Sequence, residues 1–537
     1  MDSLVLPLLA AAPACLLIAG GLVPARLADR QSRAMRAVVV WLTALSVAAA
    51  AATAGLLATT GPVDHVFWAA PAPLPLNVGV FVDSLTAVML LLVSFIGLVI
   101  ARFAARALEG EPRQGRFFAA LSLTLGAVLT LVVSRNLVML TAAWMLTSYG
   151  LHRLLEHYPD RPWAIWAARK KFLVSRLGDA MLVAALALTI WHFGTADYAA
   201  LFAEADAIRA STAPLPPVLT VIGILFVLGA MTKSAQVPFH SWLPDTMEAP
   251  TPVSALMHAG IINAGGFLVI RLSPLVSLSH LALDLLALVG AVTALFGGLV
   301  MLTQTSIKRS LAFSTIAQMG FMMLQCGLGA FSAGLLHIVA HSLYKAHAFL
   351  SCGSVLDAAA KTRLDGKPVV GVTRAALALP CAMAIAAVGA AAGGFITGID
   401  PASKPGGLVL VAVMAIALTT LVWQSLLAGS WPVALGGIAA AGGVSLGYAV
   451  AWLGIDRLLE SAAVAHAVGP ASPLDIVVAA IVVVGFVGMF ALHAAASTLA
   501  RSPIVRALYV HAANGFYLDV PARRLTARVW GLTTPVP

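Results

Sequence analysis

Charge is what this sequence has least of. Lys, Arg, Asp and Glu make up 10% of its 537 residues, where a soluble domain carries roughly a quarter. A chain this poor in charge cannot cover an ordinary globular surface with well-hydrated groups. Cysteine is scarce too: Cys15, Cys326, Cys352 and Cys381 are the only four. All fall in apolar stretches and none stands in a CxxC pair. They read as small buried hydrophobes, not as a disulfide framework or metal ligands. Zinc, haem and iron–sulfur spacings are missing, as are a Gly-rich phosphate loop and a nucleophile elbow. With no soluble domain to house redox or hydrolytic chemistry, the chain is expected to be no enzyme by itself and to carry no cofactor or metal of its own.

What is present is apolar sequence from end to end, 61% of all residues. Runs such as LVLPLLAAAPACLLIAGGLVP and ALDLLALVGAVTALFGGLVML are long enough to cross ~30 Å of hydrocarbon as helices. Runs this continuous mean helices and not barrel strands. The first run lacks a basic start and a small-residue cleavage site, so it is expected to be a span and not a signal peptide. Hydropathy and loop breaks give an all-α polytopic membrane protein of about 15 spans. They begin near Ser3, Ala34, Gly79, Arg116, Asn136, Lys171, Pro216, Pro250, Ala282, Lys308, Gly329, Gly371, Gly407, Trp431 and Asp475. Loop charge alternates. RLADRQSRAMR, ARFAARALEGEPRQGR, RPWAIWAARKK and DAAAKTRLDGK are basic, while GPVDHVFWAAPAPLPLN has no Lys or Arg and FGTADYAALFAEADAIRASTAPLP is acidic. By the positive-inside rule this puts the N-terminus outside and the C-terminus in the cytoplasm. The net charge of +10 is then a topology signal directed at a lipid bilayer, and no nucleic-acid partner is expected.

A charge at mid-bilayer is costly, so a buried one is a functional candidate by default. KSAQVPFHSWLPDTMEAPTPVSALMHAG concentrates several. Lys233 follows a long apolar run. Pro238 and Pro244 remove backbone donors and are expected to break the helix there. Such irregular backbone is tolerated only where it lines a cavity or is covered by protein. His258 falls near the middle of the next span. In LLHIVAHSLYKAHAFLSCGSV, His337, His341 and Lys345 are spaced i, i+4, i+8 and line one face over about 12 Å of helix axis; His347 is off that stripe. Arg176 and Asp179 stand at i, i+3, a pairing that suits a structural ion pair as well as a conducting one. Lys308 and the pair Lys170 and Lys171 read more readily as snorkelling residues at an interface. Histidine titrates near neutrality and buried lysine changes its protonation readily. Together these groups point to a protein that conducts protons or another cation across the bilayer centre, and go no further.

The same stretches carry a resemblance. KSAQVPFHSWLPDTMEAPTPVSALMHAG, IKRSLAFSTIAQMG and HIVAHSLYKAHAFLSCGSV resemble the signature blocks of the antiporter-like subunits of respiratory complex I and of Mrp-type cation/proton antiporters. The likeness runs from about the fourth span to the thirteenth and weakly into NGFYLD. It implies two inverted five-helix repeats, each with a broken helix, at 116–271 and 282–429. These would lie between N-terminal spans at 1–115 and C-terminal spans at 430–500, with a cytoplasmic basic tail at 501–537. The conducting positions it implies fall on Lys233, His258, His337, His341, Lys345, Arg176 and Asp179.

Two positions depart from the complex I pattern. Those subunits carry a glutamate just after a tryptophan in the fifth span, as partner to the broken-helix lysine; here LTAAWMLTSYGLHRLLEHYPDRP has Met145 in its place. They also carry a lysine in the second broken helix, where GGFITGIDPASKPG has Thr397, with Lys404 several residues on. Asp245, Glu248 or a residue from another subunit is expected to compensate at Lys233. The chain also ends soon after NGFYLD, without the long lateral helix of the large complex I member. LHRLLEHYPDRP…AARKKFLVSRLGD without the glutamate is similar to the membrane subunit of the DabA–DabB inorganic carbon accumulation system. That resemblance implies a cytoplasmic, zinc-dependent DabA partner related to β-carbonic anhydrases, with H+ or Na+ flow driving hydration of CO2 to bicarbonate. The tail from Arg501 to Trp530, with Arg506, Tyr517, Arg523 and Arg524, would face that partner, or anionic lipid. A complex I-type proton-pumping subunit and an Mrp-type antiporter subunit remain the alternatives.

Overall fold

A computed structural model describes residues 2–71, 76–353, 372–398, 405–465, 473–495 and 502–531. Lys404, Arg501 and the DAAAKTRLDGK loop lie outside the described residues. Helices dominate. α1 (Asp2–Gly21), a short α2 (Ala25–Arg30), α3 (Ser32–Thr60) and α4 (Ser84–Ala107) open the chain, followed by α5 (Gln114–Val133), α6 (Leu137–Leu155) and α7 (Pro162–Phe193). After α8 (Tyr198–Ala210) come α9 (Pro217–Lys233), α10 (Trp242–Asp245), α11 (Thr251–Ala259), α12 (Ala264–Arg271) and α13 (Ser273–Val276). The second half holds α14 (His280–Met301), α15 (Ile307–Gly327), α16 (Phe331–Leu350), α17 (Val372–Thr397), α18 (Pro405–Leu427), α19 (Trp431–Leu459) and α20 (Pro473–Ala495). Two tail helices, α21 (Pro503–Ala513) and α22 (Val520–Trp530), close the described chain.

Eleven of these, with α11 and α12 taken as one interrupted span, are long and apolar enough to cross a membrane. The helices α6, α9, α15 and α16 bring the set to the expected 15. Three of those four are depressed in hydropathy by the polar residues they carry, and α9 is cut short at Lys233. A helix can carry such groups only if neighbouring helices shield them from lipid.

One element is not helical. β1 (Val63–Ala69) and β2 (Asn77–Val82) pair antiparallel, with a bulge between Val66 and Trp68. Hydropathy alone reads 63–69 as loop and Gly79 as the start of a span. The β-branched and aromatic alternation of VDHVFWA and NVGVFV explains the hairpin. Arg135, between α5 and α6, fastens it, reaching Asp64 of β1 at 2.5 Å and Asn77 of β2 at 3.1 Å.

Helix packing is close where side chains are small. At Gly320 an added Cβ would meet the Ala294 backbone nitrogen at 2.4 Å, so α14 and α15 touch backbone to backbone. The expectation that all four cysteines are buried fails for three. Cys326 is buried, but Cys15 and Cys381 are exposed and Cys352 is partly exposed. In a spanning helix an apolar environment lies outside as well as inside, so a hydrophobe need not face the core.

Candidate functional site

The helix break comes first, because it places Lys233. α9 ends at Lys233. Ala235 then adopts a left-handed φ of 47°, and the chain does not become helical again until Phe239. The break therefore begins ahead of Pro238, whose ring excludes helical backbone at the residue before it. Pro244 sits inside the short α10 and does not make the break. The freed backbone groups find partners: Gln236 N donates to Met231 O at 3.0 Å and Val237 N donates to Thr293 Oγ1 of α14 at 3.0 Å, while the Ser234 side chain donates to Ile262 O at 2.6 Å. A second interruption follows at Gly260, two residues after His258, where α11 gives way to a tighter turn before α12.

Lys233 is 5% exposed. Its Nζ donates to Trp144 O at 3.0 Å and to Ser148 Oγ at 2.7 Å, and lies 4.3 Å from the centroid of the Trp144 ring. From α7, the Lys171 Nζ donates to the Ser148 carbonyl at 2.6 Å. Two buried lysines thus converge on one serine. With Thr232, Ser175 and Trp242 they line a cavity of about 10 Å³, the room of a single water. Two expectations are corrected. Lys170 and Lys171 are not interfacial snorkels: both are buried, since α7 starts at Pro162 and carries them into the bundle. Nor do Asp245 and Glu248 compensate for the missing glutamate. Asp245 accepts from Lys170 at 2.9 Å, and Glu248 reaches Arg161 at 3.7 Å. A backbone carbonyl, a hydroxyl and an indole face hold the ammonium directly, and the charge of Asp179 acts on it without a hydrogen bond.

A second cluster runs along α16. His337, His341 and Lys345 share a face, as their spacing predicts, and His347 is exposed. His337 Nδ1 is 3.0 Å from Gln325 Oε1 and its ring centroid is 5.9 Å from that of His341. His341 Nε2 lies 3.1 Å from the His258 carbonyl, which can only accept, so that nitrogen carries a proton. His258 Nδ1 meets Thr315 Oγ1 at 3.0 Å, and its ring stacks on Phe349 at 4.3 Å. Lys345 Nζ donates to Ser314 Oγ at 2.8 Å and to Leu311 O at 3.2 Å. The three helices α11, α15 and α16 therefore hold three histidines and a lysine in one group, of which His258, His341 and Lys345 are buried and His337 partly buried. Several buried polar atoms lack a hydrogen-bond partner: His258 Nε2, Asn263 Oδ1 and Gln236 Oε1. Such atoms are where a proton or a water is held at least cost.

The remaining candidates divide. Arg176 and Asp179 approach to 2.5 Å, with Asp179 buried and Arg176 half exposed over the Phe172 ring. Lys308 is partly exposed at the start of α15 and makes no hydrogen bond or ion pair among the described residues. Among the described residues Thr397 hydrogen-bonds only back into its own helix, at Gly393 and Gly394. In the tail, Arg506 and Arg524 are exposed and Tyr517 is 49% exposed. Arg523 pairs with Asp519, which also accepts from Lys170. Burial pushes the Asp519 carboxyl up, but Lys170 and Arg523 outweigh it and hold it below its ordinary 3.8. The tail is thus tied to the broken helix through Lys170 and Asp245.

Sequence reasoning missed Ser148, Gln325, Ser314 and Thr315, because a polar residue in an apolar helix gives no sign of which buried group it will meet. It also missed the ion pair of Asp83 with Arg271. Arg271 Nη1 and Nη2 reach the two carboxylate oxygens at 2.6 and 2.8 Å, both side chains being 1% exposed. His240, buried next to Phe296 with Nδ1 unpartnered, was passed over as well. A single histidine beside prolines gives no stripe to read.

Residues 134–368 match the family described as NADH:quinone oxidoreductase/Mrp antiporter, transmembrane. Residues 68–118 match the N-terminus of complex I chain 5. The chain is 40% identical, over 97% of its length and 94% of the relative's, to the probable inorganic carbon transporter subunit DabB2 of Halothiobacillus neapolitanus. It is also 40% identical to NADH-quinone oxidoreductase subunit L of Mycobacterium tuberculosis, over 54% of this chain and 46% of that one. Among solved structures, the Mrp complex from Dietzia sp. DQ12-45-1b superposes with a TM-score of 0.59 at 24% identity, over 96% of this chain and 59% of that one. The archaeal membrane-bound sulfane sulfur reductase gives 0.56 at 20% identity, over 96% and 99%. At those identities the structural likeness speaks for the fold alone.

Proposed function

We propose, from a chain that belongs to the DabB family of antiporter-like membrane subunits, that its two buried clusters conduct H+ or Na+ through the bilayer to energise a cytoplasmic partner. The partner is a DabA-like, zinc-dependent subunit that hydrates CO2 to bicarbonate; the zinc and the carbon chemistry are the partner's, and the conduction is this chain's. The protein sits in the bacterial inner membrane with its N-terminus outside and its C-terminus in the cytoplasm. The two inverted repeats at 116–271 and 282–429 carry the Lys233 cluster and the His337–His341–Lys345 cluster respectively. Arg506, Tyr517, Arg524 and the rest of the tail face the partner.

One observation supports this above the others. Lys233 is deeply buried, yet it is held by a carbonyl and a hydroxyl and not by a carboxylate. A lysine locked to a carboxylate keeps its proton; one held by neutral acceptors can release it. Asp519, bonded to Lys170 beside the helix break, gives the tail a direct physical line to that lysine's surroundings. The likeness to complex I subunit L extends over about half of each chain, and Met145 replaces the carboxylate of that branch.

The test is growth in air of a carbonic-anhydrase-deficient bacterium that expresses this chain with its genomic neighbour. Rescue is expected, with loss on adding an uncoupler and with Lys233→Ala. Rescue that persists with Lys233→Ala would remove Lys233 from the conducting line, and no rescue with any zinc-binding neighbour would remove the carbon function.

A further inference from the structure

One cavity belongs to neither cluster. It encloses about 670 Å³ between α14, α15, α16, α17, α18, α19 and α20. It is formed by the N-terminal ends of α14, α16, α18 and α20 and the C-terminal ends of α15, α17 and α19. Those ends all lie at one face, opposite the Arg-rich loops, which is the outside in the orientation proposed above.

Its charged lining has one sign. Asp284, Asp456, Glu460 and Asp475 line it together with His280, and among the described residues no Lys or Arg does. Asp456 accepts from Ser332 Oγ at 2.6 Å, and Asp475 Oδ2 is 3.2 Å from His280 Nδ1. Asp284 is different. It is only 7% exposed, it lines the cavity, and its Oδ2 has no hydrogen-bond partner. Its carboxyl also lies close to that of Asp475. Two carboxyl groups can bond to one another only if a proton lies between them. If both are ionised they repel, and a cation between them removes the repulsion. A buried carboxylate oxygen left open toward a cavity is a site for a cation.

The floor of the cavity leads to the histidine helix. Tyr448 lines the cavity with its side chain close to that of Gln325. Gln325 Oε1 in turn is 3.0 Å from His337 Nδ1. Phe321, also in the lining, places its ring centroid 5.8 Å from that of His337. An amide oxygen only accepts, so His337 Nδ1 carries the proton and Nε2 keeps the lone pair in the neutral ring. Gln325 is a positioning residue: it fixes which nitrogen of His337 is open to a proton.

We propose that this cavity is the outer vestibule of the conducting line, in which the Asp284–Asp475 pair takes the transported monovalent cation from the outside medium and passes it to His337. No bond other than those to the proton, or the contacts to Na+, is made or broken. The pair gives up the cation it holds, His337 Nε2 takes a proton when the cation is H+, and the pair is recharged from the medium. The vestibule rests on the conduction proposed above.

The experiment uses the full chain with its partner in sealed vesicles, with flux driven separately by a proton gradient and a sodium gradient. Asp284→Asn with Asp475→Asn is expected to reduce flux to the level of empty vesicles, and Asp284→Glu to restore part of it. The restoration distinguishes a lost site from a misfolded chain. In Ala330→Cys, on the cavity wall, a membrane-impermeant cationic thiol reagent added outside is expected to block flux, faster than its anionic counterpart, with no block of the parent chain. Which gradient responds identifies the cation, and either response supports the vestibule. If the parent conducts and Lys233→Ala abolishes its flux, but the Asp284/Asp475 variant conducts at the parental rate, the vestibule is wrong and the conduction stands. The same holds if the Ala330→Cys chain conducts and the outer reagent leaves it untouched, as it would in a lipid-filled cavity. If the parent itself is silent under both gradients, the conduction fails first.

Discussion

Lys233 donates to the backbone carbonyl of Trp144 at 3.0 Å while lying 4.3 Å from the centroid of that residue's own indole ring. One tryptophan thus supplies both a lone pair and a π face to a buried ammonium. Ser148, one turn further along α6, accepts from Lys233 through its hydroxyl and from Lys171 through its carbonyl. Two cations sharing one neutral residue repel each other, so the arrangement favours one charged lysine at a time.

Ser148→Ala removes the hydroxyl from this arrangement and leaves Lys233 one acceptor fewer. A buried donor stripped of a partner costs about 1–3 kcal/mol, so cation flux in reconstituted vesicles is expected to fall while the chain still folds. Ser148→Thr, which keeps a hydroxyl, is expected to retain most of it. Equal flux in all three would mean that Ser148 does not set the state of Lys233.

Histidines on and off the α16 stripe separate in the same assay. His341, donating to the His258 carbonyl at 3.1 Å, lies in the middle of the buried group, whereas His347 is exposed. His341→Ala is expected to abolish flux and His347→Ala to leave it unchanged. The opposite ranking would place the path on another face of the helix.

Arg271 and Asp83 predict a change of stability and not of conduction chemistry. Breaking a fully buried pair by removing one partner costs about 3–5 kcal/mol, because the other charge is left uncompensated. Arg271→Ala is expected to lower the thermal unfolding midpoint in detergent sharply. Lys233→Met, which leaves no charge behind, is expected to change it little.

Docking of the tail gives a pH dependence with a defined sign. Lys170 and Arg523 hold Asp519 below its ordinary 3.8 against the opposing effect of burial. A depressed carboxyl contributes stability that is present above its unfolded value and lost as pH falls through the folded one. Hydrogen exchange at α22 is therefore expected to stay slow through the neutral range and to accelerate only in acid below 3.8. With Lys170→Ala it is expected to be fast at neutral pH already.

Close helix contact adds one further outcome. An added Cβ at Gly320 would stand 2.4 Å from the Ala294 nitrogen. Backbone cannot yield as a flexible side chain can, so Gly320→Val is expected to cost about 1–3 kcal/mol and to reduce the yield of folded protein. Gly298→Val on the same pair of helices, with open space around it, is expected to be neutral.

By itself the sequence determined the medium and the spans. Burial in lipid requires long apolar runs, and the 15 helices begin within a few residues of their hydropathic starts, except α7, which begins at Pro162 and not at Lys171. Periodicity also determined the stripe of His337, His341 and Lys345, because those residues share one helix and its 3.6-residue turn decides their face. Only the tertiary structure decided what each buried charge meets. Lys233 finds Trp144 89 residues away, Arg271 finds Asp83 188 away, and Lys170 finds Asp519 349 away. A buried cation accepts any well-placed oxygen, so its partner is chosen by how helices distant in the chain come to lie together, and no local pattern records that.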